Sequence, residues 1–533
     1  MLIAKRSVAI AGAALAAFLT MTAAPALAQQ KILRVVPDGD LRVLDPIFTT
    51  AGTTASHGYM VYDVLFTEDS KFQPQPQMVE RWAKSADDLT WTFKLRDGLT
   101  FHDGSPVRSV DAVASLKRWG AKIVGARILM QRIASVDATG PNEFVIRLKQ
   151  KYPPLIATLA NSDQPLFVMR KAEADTDPNT AVTNVVGSGP FIFRQTEWRP
   201  GQRVVYVKNP AYKPRSEPAD GYAGGKVVKV DRVEWNYIPD AATAAQALIA
   251  GEVDIYELPP NDLLPLLGRA PNVKLEITNK QGSSAILRPN SIIKPFDNPK
   301  VRQALLYAID QSAALAAITG AADLGKPCWA LFTCGTPLET NVGLGDFARP
   351  TPNPAKAREL LREAGYANER IVMMHPTDQP LVSAIVQVNA ARLRDAGFNV
   401  VVQATDWATM ISRRPTRAHP DEDPRGWHIF HTWAPGTFWG NPLVNNGIAT
   451  PCDRSNWFGW PCDERLETIR QEFVDAGDDT TRRAIAGRFQ QRFYEVVPYV
   501  PLGQYFSKIA YSNRVTGIVP VPRLAMWNID IQR

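Results

Sequence analysis

The chain reads as an α/β protein of more than one lobe, and three observations carry that reading. Without residues 1–28 the chain keeps about 505 of its 533 residues, too many for a single hydrophobic core. Segments with period-two apolar alternation recur among segments of helical periodicity along the whole length. Ile371 to Met374, a helix from about Leu381 to Ala396, and Asn399 to Val402 then form a strand–helix–strand unit. Such a unit requires parallel strands joined by a right-handed crossover. No internal repeat or low-complexity tract interrupts the pattern.

The N-terminus has the layout of a secretory signal. Lys5 and Arg6 precede an apolar stretch from Val8 to Met21, and Ala26-Leu27-Ala28 supplies the small-residue cleavage site. Cleavage is expected after Ala28; with no cysteine following it, the mature chain is expected free in the periplasm. The net charge of +7 falls to +5 without Lys5 and Arg6, and the basic residues are dispersed. That distribution describes a solvated surface and argues against nucleic-acid binding. Four cysteines in an exported chain point to disulfides. Their spacing favours Cys328–Cys334 and Cys452–Cys462 among the three possible pairings. No paired Cys-x-x-Cys supports zinc.

Along the mature chain, Ile32 to Val36 is a strand, followed by Leu44-Asp45-Pro46, the small-residue stretch Thr49 to Ser56, and a helix around His57 to Leu65. Trp91, Phe93 and Leu95 alternate with polar residues in a half-buried strand; Leu99 to Phe101 is expected as its hairpin partner. Ser109 and Asp111 open a helix to about Trp119, with the acid where the helix dipole favours it. Val145 to Leu148 and Val204 to Lys208 are strands. Thr243 to Ala250 is a helix stopped by Gly251, and Val253 to Tyr256 a strand. Asn298-Pro299 and Asn353-Pro354 each place a capping Asn before a Pro at the first helical position.

Several of these stretches resemble one family. Trp82, Trp91-Thr92-Phe93-Lys94-Leu95-Arg96, Gly98 and Phe101-His102-Asp103-Gly104-Ser105-Pro106 closely resemble the signature of extracytoplasmic solute-binding proteins of family 5, which serve peptide, opine and nickel ABC importers. Gly187-Ser188-Gly189-Pro190-Phe191, Asn209-Pro210-Ala211-Tyr212, Gly251-Glu252-Val253-Asp254-Ile255 and Phe296 to Asp310 are similar to further family segments. The resemblance implies a two-lobe periplasmic-binding-protein fold of class II, the large peptide-binding type. It places lobe I at 29–280 with an inserted subdomain at about 58–186, lobe II at 281–497, and a return to lobe I over 498–533. It also implies that Leu44-Asp45-Pro46 borders the ligand cleft.

Six of the thirteen Trp fall between Trp407 and Trp460: Trp407, Trp427, Trp433, Trp439, Trp457 and Trp460. Trp427 to Thr432 reads as a short strand, and residues 433–442 are too rich in Gly and Pro for a helix or central strand. Aromatic loops at strand ends are where α/β proteins place binding residues. The expected ligand-binding set is therefore Trp407, Trp433, Pro435, Gly436, Phe438 and Trp439, with Trp433 and Trp439 stacking on the ligand. Thr50, His57 and Ser188 are expected from the first lobe, and His375 from the second. The resemblance implies that peptide-binding relatives carry an Asp in the loop equivalent to 433–441 for the ligand's α-ammonium; here that loop has no carboxylate. Arg413, Arg414 and Arg417 are expected on a solvated loop.

No catalytic residue is expected: Ser188 lacks Gly-x-Ser-x-Gly spacing and no triad order is evident. His428 and His431 lie three apart on a strand and so face opposite sides, which argues against a metal site. No metal and no cofactor is expected. The expected function is capture of a peptide or peptide-like solute by a monomer, and its delivery to an inner-membrane ABC permease. Binding of a nickel chelate or opine, or a chaperone-like or chemoreceptor-presenting role, uses the same fold.

Overall fold

The computed structural model describes residues 30–532, so the expected signal segment and its cleavage site lie outside the described residues. Two sheets organise the rest. The first has seven strands in the order Val273–Glu276, Ile509–Ser512, Ile255–Tyr256, Ile32–Val36, Arg232–Asn236, Arg203–Lys208 and Phe191–Phe193. Ile32–Val36 lies at its centre, parallel to both neighbours. Leu33 and Val35 are fully buried there, as expected of a strand covered on both faces.

The second sheet has six strands in the order Gly325–Lys326, Val500–Tyr505, Ser283–Pro289, Ile429–Pro435, Arg370–Pro376 and Asn399–Thr405. The strand–helix–strand unit is present: Arg370–Pro376 and Asn399–Thr405 run parallel, joined by the helix Pro380–Asp395. Val500–Tyr505, placed by the sequence in the returning segment, instead pairs with Ser283–Pro289. The chain rejoins the first sheet only with Ile509–Ser512. The reason is tertiary: all six residues of Val500–Tyr505 are buried, and they complete the second sheet rather than the first.

Two short segments, 277–282 and 506–508, are therefore the connections between the sheets. They run against each other where Gly282 adopts φ +63; a Cβ there would come 2.6 Å from the Tyr505 carbonyl oxygen.

Between Ile32–Val36 and Phe191–Phe193 sits a separate four-stranded sheet in the order Val79–Lys84, Thr90–Leu95, Glu143–Leu148 and Ile133–Gly140. Trp91, Phe93 and Leu95 point inward, as their alternation requires. Their hairpin partner is the preceding strand Val79–Lys84, not Leu99 to Phe101, which makes only the isolated bridge Thr100–Pro106. Asp88 at φ 61 makes the turn that joins the pair. The helix expected around His57 to Leu65 instead spans Gly52–Val61. The small side chains of residues 52–56 let it lie buried, and Tyr62 onward is extended.

The capping readings hold. The Asn298 and Asn353 side chains each accept a first-turn N–H, followed by Pro at the first helical position. Gly251 closes its helix in the left-handed region at φ 77. Cys328 is bonded to Cys334 and Cys452 to Cys462, with no free cysteine among the described residues.

Candidate functional site

The lobes meet face to face. Arg127 Nη1 donates to the Ser455 carbonyl oxygen at 2.8 Å, and Arg132 pairs with Asp475 and donates to Gln471 Oε1 at 3.0 Å. Val474 of the second lobe is buried within the core of the first. In this arrangement the two lobes are shut against each other.

Several expected site residues turn out to be structural. Trp439 is 2 % exposed; its indole N–H donates to the carbonyls of Ser284 and Ala434, and its ring packs on Tyr499 and Phe438. A side chain sealed into the second lobe's core cannot stack on a solute, so the stacking role expected of Trp439 is withdrawn. Trp427 and Trp460 fill a smaller core with Met374, Met410 and Phe430.

The Gly/Pro-rich stretch is also more regular than its composition implies. Ile429–Pro435 is a strand and Gly436–Trp439 a single helical turn. Pro435 pairs opposite Ser283, Gly436 N–H donates to the Gly282 carbonyl at 2.8 Å, and Thr333 Oγ1 donates to the Gly436 carbonyl at 2.6 Å. Pro435 and Gly436 thus tie this turn to the crossover segment, and Phe438 is buried beside Trp439.

His57 is another correction. It is fully buried, its Nδ1 lies 2.9 Å from the Tyr206 hydroxyl, and burial pushes its pKa down to about 3. It is a neutral core side chain of the first lobe. His431 is equally buried against Asn389 Nδ2 at 3.0 Å and likewise lowered to about 3; His428 accepts from Val372 N–H and faces the Lys294 carbonyl. Among the described residues no three His, Cys, Asp or Glu side chains are grouped to hold a metal ion.

Asp45, expected at the cleft border, is fully buried and pairs with Arg118 at 2.6 Å inside the first lobe. Arg413 and Arg414 do not lie on a solvated loop: both are 8 % exposed, with Arg413 tied to Gln403 and the Gly426 carbonyl, and Arg414 over the Phe430 and Phe458 rings.

The remaining expected residues lie nearer the surface or hold free polar atoms. Thr50 is exposed just before the helix Gly52–Val61, and Trp433 is half-buried on Ile429–Pro435 opposite Ala285. His375 ends its strand with Nε2 at 2.7 Å from Ser383 Oγ, while half-buried Trp407 begins a helix beside the outermost strand of that sheet. Ser188 Oγ is buried without a partner between Gly187 and Gly189. Both glycines press on the end of the helix Gly52–Val61: a Cβ at Gly187 would come 1.9 Å from the Val61 carbonyl oxygen.

What the sequence reading missed is a polar loop of the first lobe, residues 161–164. Asn161, Ser162, Asp163 and Gln164 are all buried, at 7 %, 4 %, 7 % and 8 % exposure. Asn161 Oδ1 accepts the N–H groups of Asp163 and Gln164, which shapes the loop, and Tyr59 donates to the Ser162 carbonyl. From the second lobe, Asn446 Nδ2 reaches Gln164 Oε1 at 3.4 Å, and the Thr437 hydroxyl lies beside Asp163. Capacity for hydrogen bonds is left over on both sides: Gln164 Nε2, Asn446 Oδ1 and Thr437 Oγ1 are buried without partners among the described residues.

Charge gathers at the same place. Burial pushes the Asp163 carboxyl up to about 6, with the Arg523 guanidinium and Thr437 hydroxyl pulling the other way. Glu68, which accepts from Ser162 Oγ, is pushed up to about 8 by burial and by Asp163. Glu257 is pushed up by burial and the nearby Asp38. At pH 7 Asp163 is thus mainly ionised while Glu68 is mainly protonated. Arg523 makes no ion pair among the described residues. Its Nε is buried without a partner, and its Nη1 lies where a Cβ on Gly52 would come within 2.7 Å.

Polar groups from two lobes that converge without satisfying one another suit the capture of a small solute, and comparison with known proteins agrees. Residues 73–443 match the profile described as bacterial extracellular solute-binding proteins, family 5 Middle. This chain belongs to that family. It is 40 % identical over 522 residues to a probable peptide ABC transporter periplasmic-binding protein, y4tO, of Sinorhizobium fredii, covering 98 % of this chain and 97 % of the relative. Two solved structures share the fold, each with TM-score 0.78. AgaA from A. tumefaciens R10 in complex with agropinic acid is 22 % identical and aligns over 94 % of this chain and 99 % of its own. A dipeptide-binding protein from Pseudoalteromonas sp. SM9913 in complex with Met-Leu is 19 % identical, over 94 % and 100 %. The family 5 chain is accordingly an extracytoplasmic solute-binding protein of an ABC import system and not an enzyme.

Proposed function

We propose that this protein captures a peptide or peptide-like small solute in the periplasm and delivers it, as a closed monomer, to an inner-membrane ABC permease. Residues 1–28 act as a Sec-type signal cleaved after Ala28. The lobes close about the segments 277–282 and 506–508, and the solute favours closure because it touches both lobes only when they are shut. The observation that carries the reading is the meeting of residues 161–164 with Thr437 and Asn446, where buried polar atoms from opposite lobes lack partners. An unpaired buried polar group costs about 1–3 kcal/mol, and a solute held between the lobes removes that cost. The relative at 40 % identity, described as a probable peptide-binding component, supports the solute class.

The test combines mass spectrometry of small molecules released from the purified protein with tryptophan-fluorescence titration and X-ray scattering against a panel of short peptides. A released peptide-like compound, and a smaller radius of gyration when a panel member is added, are expected. A panel that leaves both fluorescence and scattering unchanged overturns the peptide assignment.

A further inference from the structure

We infer that Asp163, from the first lobe, is the carboxylate that receives the solute's ammonium group, with the Thr437 hydroxyl of the second lobe completing the pocket. The inference rests on the solute-binding reading above and names the chemical class of one end of the solute. Asp163 is 7 % exposed, and among the described residues no N–H donates to its carboxylate. The Thr437 hydroxyl lies beside the carboxylate and favours its ionised form, and among the described residues its Oγ1 has no partner within hydrogen-bond distance. The facing turn, residues 433–441, has no carboxylate of its own.

A buried carboxylate left like this is costly unless a cation with hydrogen-bond donors meets it. Arg523, the cation in electrostatic reach, forms no ion pair with it. The neighbouring acid Glu68 already accepts a hydrogen bond from the Ser162 hydroxyl, and burial raises its carboxyl to about 8, which keeps it mainly neutral at pH 7. Asp163 is therefore the anion left to answer a cation. An alkylammonium presents three N–H donors on one small charged head. Two of them meet Asp163 and Thr437, which are opposed across the closed cleft. Because the two acceptors come from different lobes, an ammonium there would also favour closure.

The experiment uses the full mature protein, stripped of bound solute. It is titrated with a tripeptide library bearing free N-termini, with the same library N-acetylated, and with non-peptide amines (free amino acids and spermidine). Asp163→Asn and Thr437→Val are titrated in parallel, with near-ultraviolet circular dichroism to verify that each is folded. Free-amino peptides are expected to bind and acetylated ones not. Asp163→Asn should weaken binding by at least 30-fold and Thr437→Val by about 5-fold. Equal binding of acetylated and free peptides, or an Asp163→Asn affinity within threefold of the native one, overturns the role of Asp163 and leaves the peptide reading standing. Binding of a non-peptide amine alone, lost in Asp163→Asn, overturns the peptide reading and sustains Asp163. Binding of none of the three sets overturns both.

Discussion

Replacing Asp163 by Asn should favour the closed arrangement of the solute-free protein, the one in which Asp163 is buried, in a pH-dependent way. Burial holds the Asp163 carboxyl at about 6 against an ordinary 3.8. That gap corresponds to about 3 kcal/mol between the protonated and ionised forms in the folded state. Because the value in the closed form lies above that of a solvent-exposed carboxyl, closure is favoured fully below about pH 4 and loses that support as the pH rises through about 6. Asparagine is neutral throughout and avoids this loss. Relative to the native protein, closure of the solute-free variant should be near-neutral at pH 4 and about 2–3 kcal/mol more favourable at pH 7.5. Glu68 adds to the trend, because its carboxyl is raised partly by the Asp163 charge, which the variant lacks. The measurement is X-ray scattering of solute-free native and variant protein at several pH values, read as the radius of gyration. Two profiles that run parallel from pH 4 to 8 would refute the claim that Asp163 is buried as an unpaired acid on closure.

Other perturbations separate structural from binding roles. Arg118→Leu strands Asp45 in the first lobe's core and should cost about 3–5 kcal/mol, read as a lower urea midpoint. Trp439→Ala should cost about 3–5 kcal/mol of second-lobe stability, the signature of a core side chain bonded to Ser284 and Ala434; a change in affinity with unaltered stability would contradict that placement. Asp475→Ala removes the cross-lobe partner of Arg132; the Asp475 side chain is 58 % exposed at the rim. The substitution should therefore weaken solute binding only about 2–5-fold while enlarging the unliganded radius of gyration. Replacing Cys328 and Cys334 by Ser should lower stability by about 2 kcal/mol and also weaken binding, because Thr333 in that loop holds the Gly436 carbonyl.

The amino-acid sequence by itself determined much of what depends on spacing along the chain. Alternation buried Trp91, Phe93 and Leu95 on one face, Asn–Pro pairs opened two helices, and Ile371 to Val402 formed a parallel crossover unit. These are short-range effects of side-chain period, capping geometry and fixed φ, and they are legible in any stretch of a dozen residues. Tertiary structure decided which polar and aromatic residues end up inside. Trp439 and His57 looked like binding residues because their chemistry suits ligands, but each is sealed into the core of its own lobe. Asn161 to Gln164 reads as an ordinary surface turn between two apolar runs, and nothing within 12 residues of it signals otherwise. It becomes a site because residues almost 300 positions away, Thr437 and Asn446, close over it. Burial of a charge is a property of what folds on top of it, and that partner comes from the other lobe.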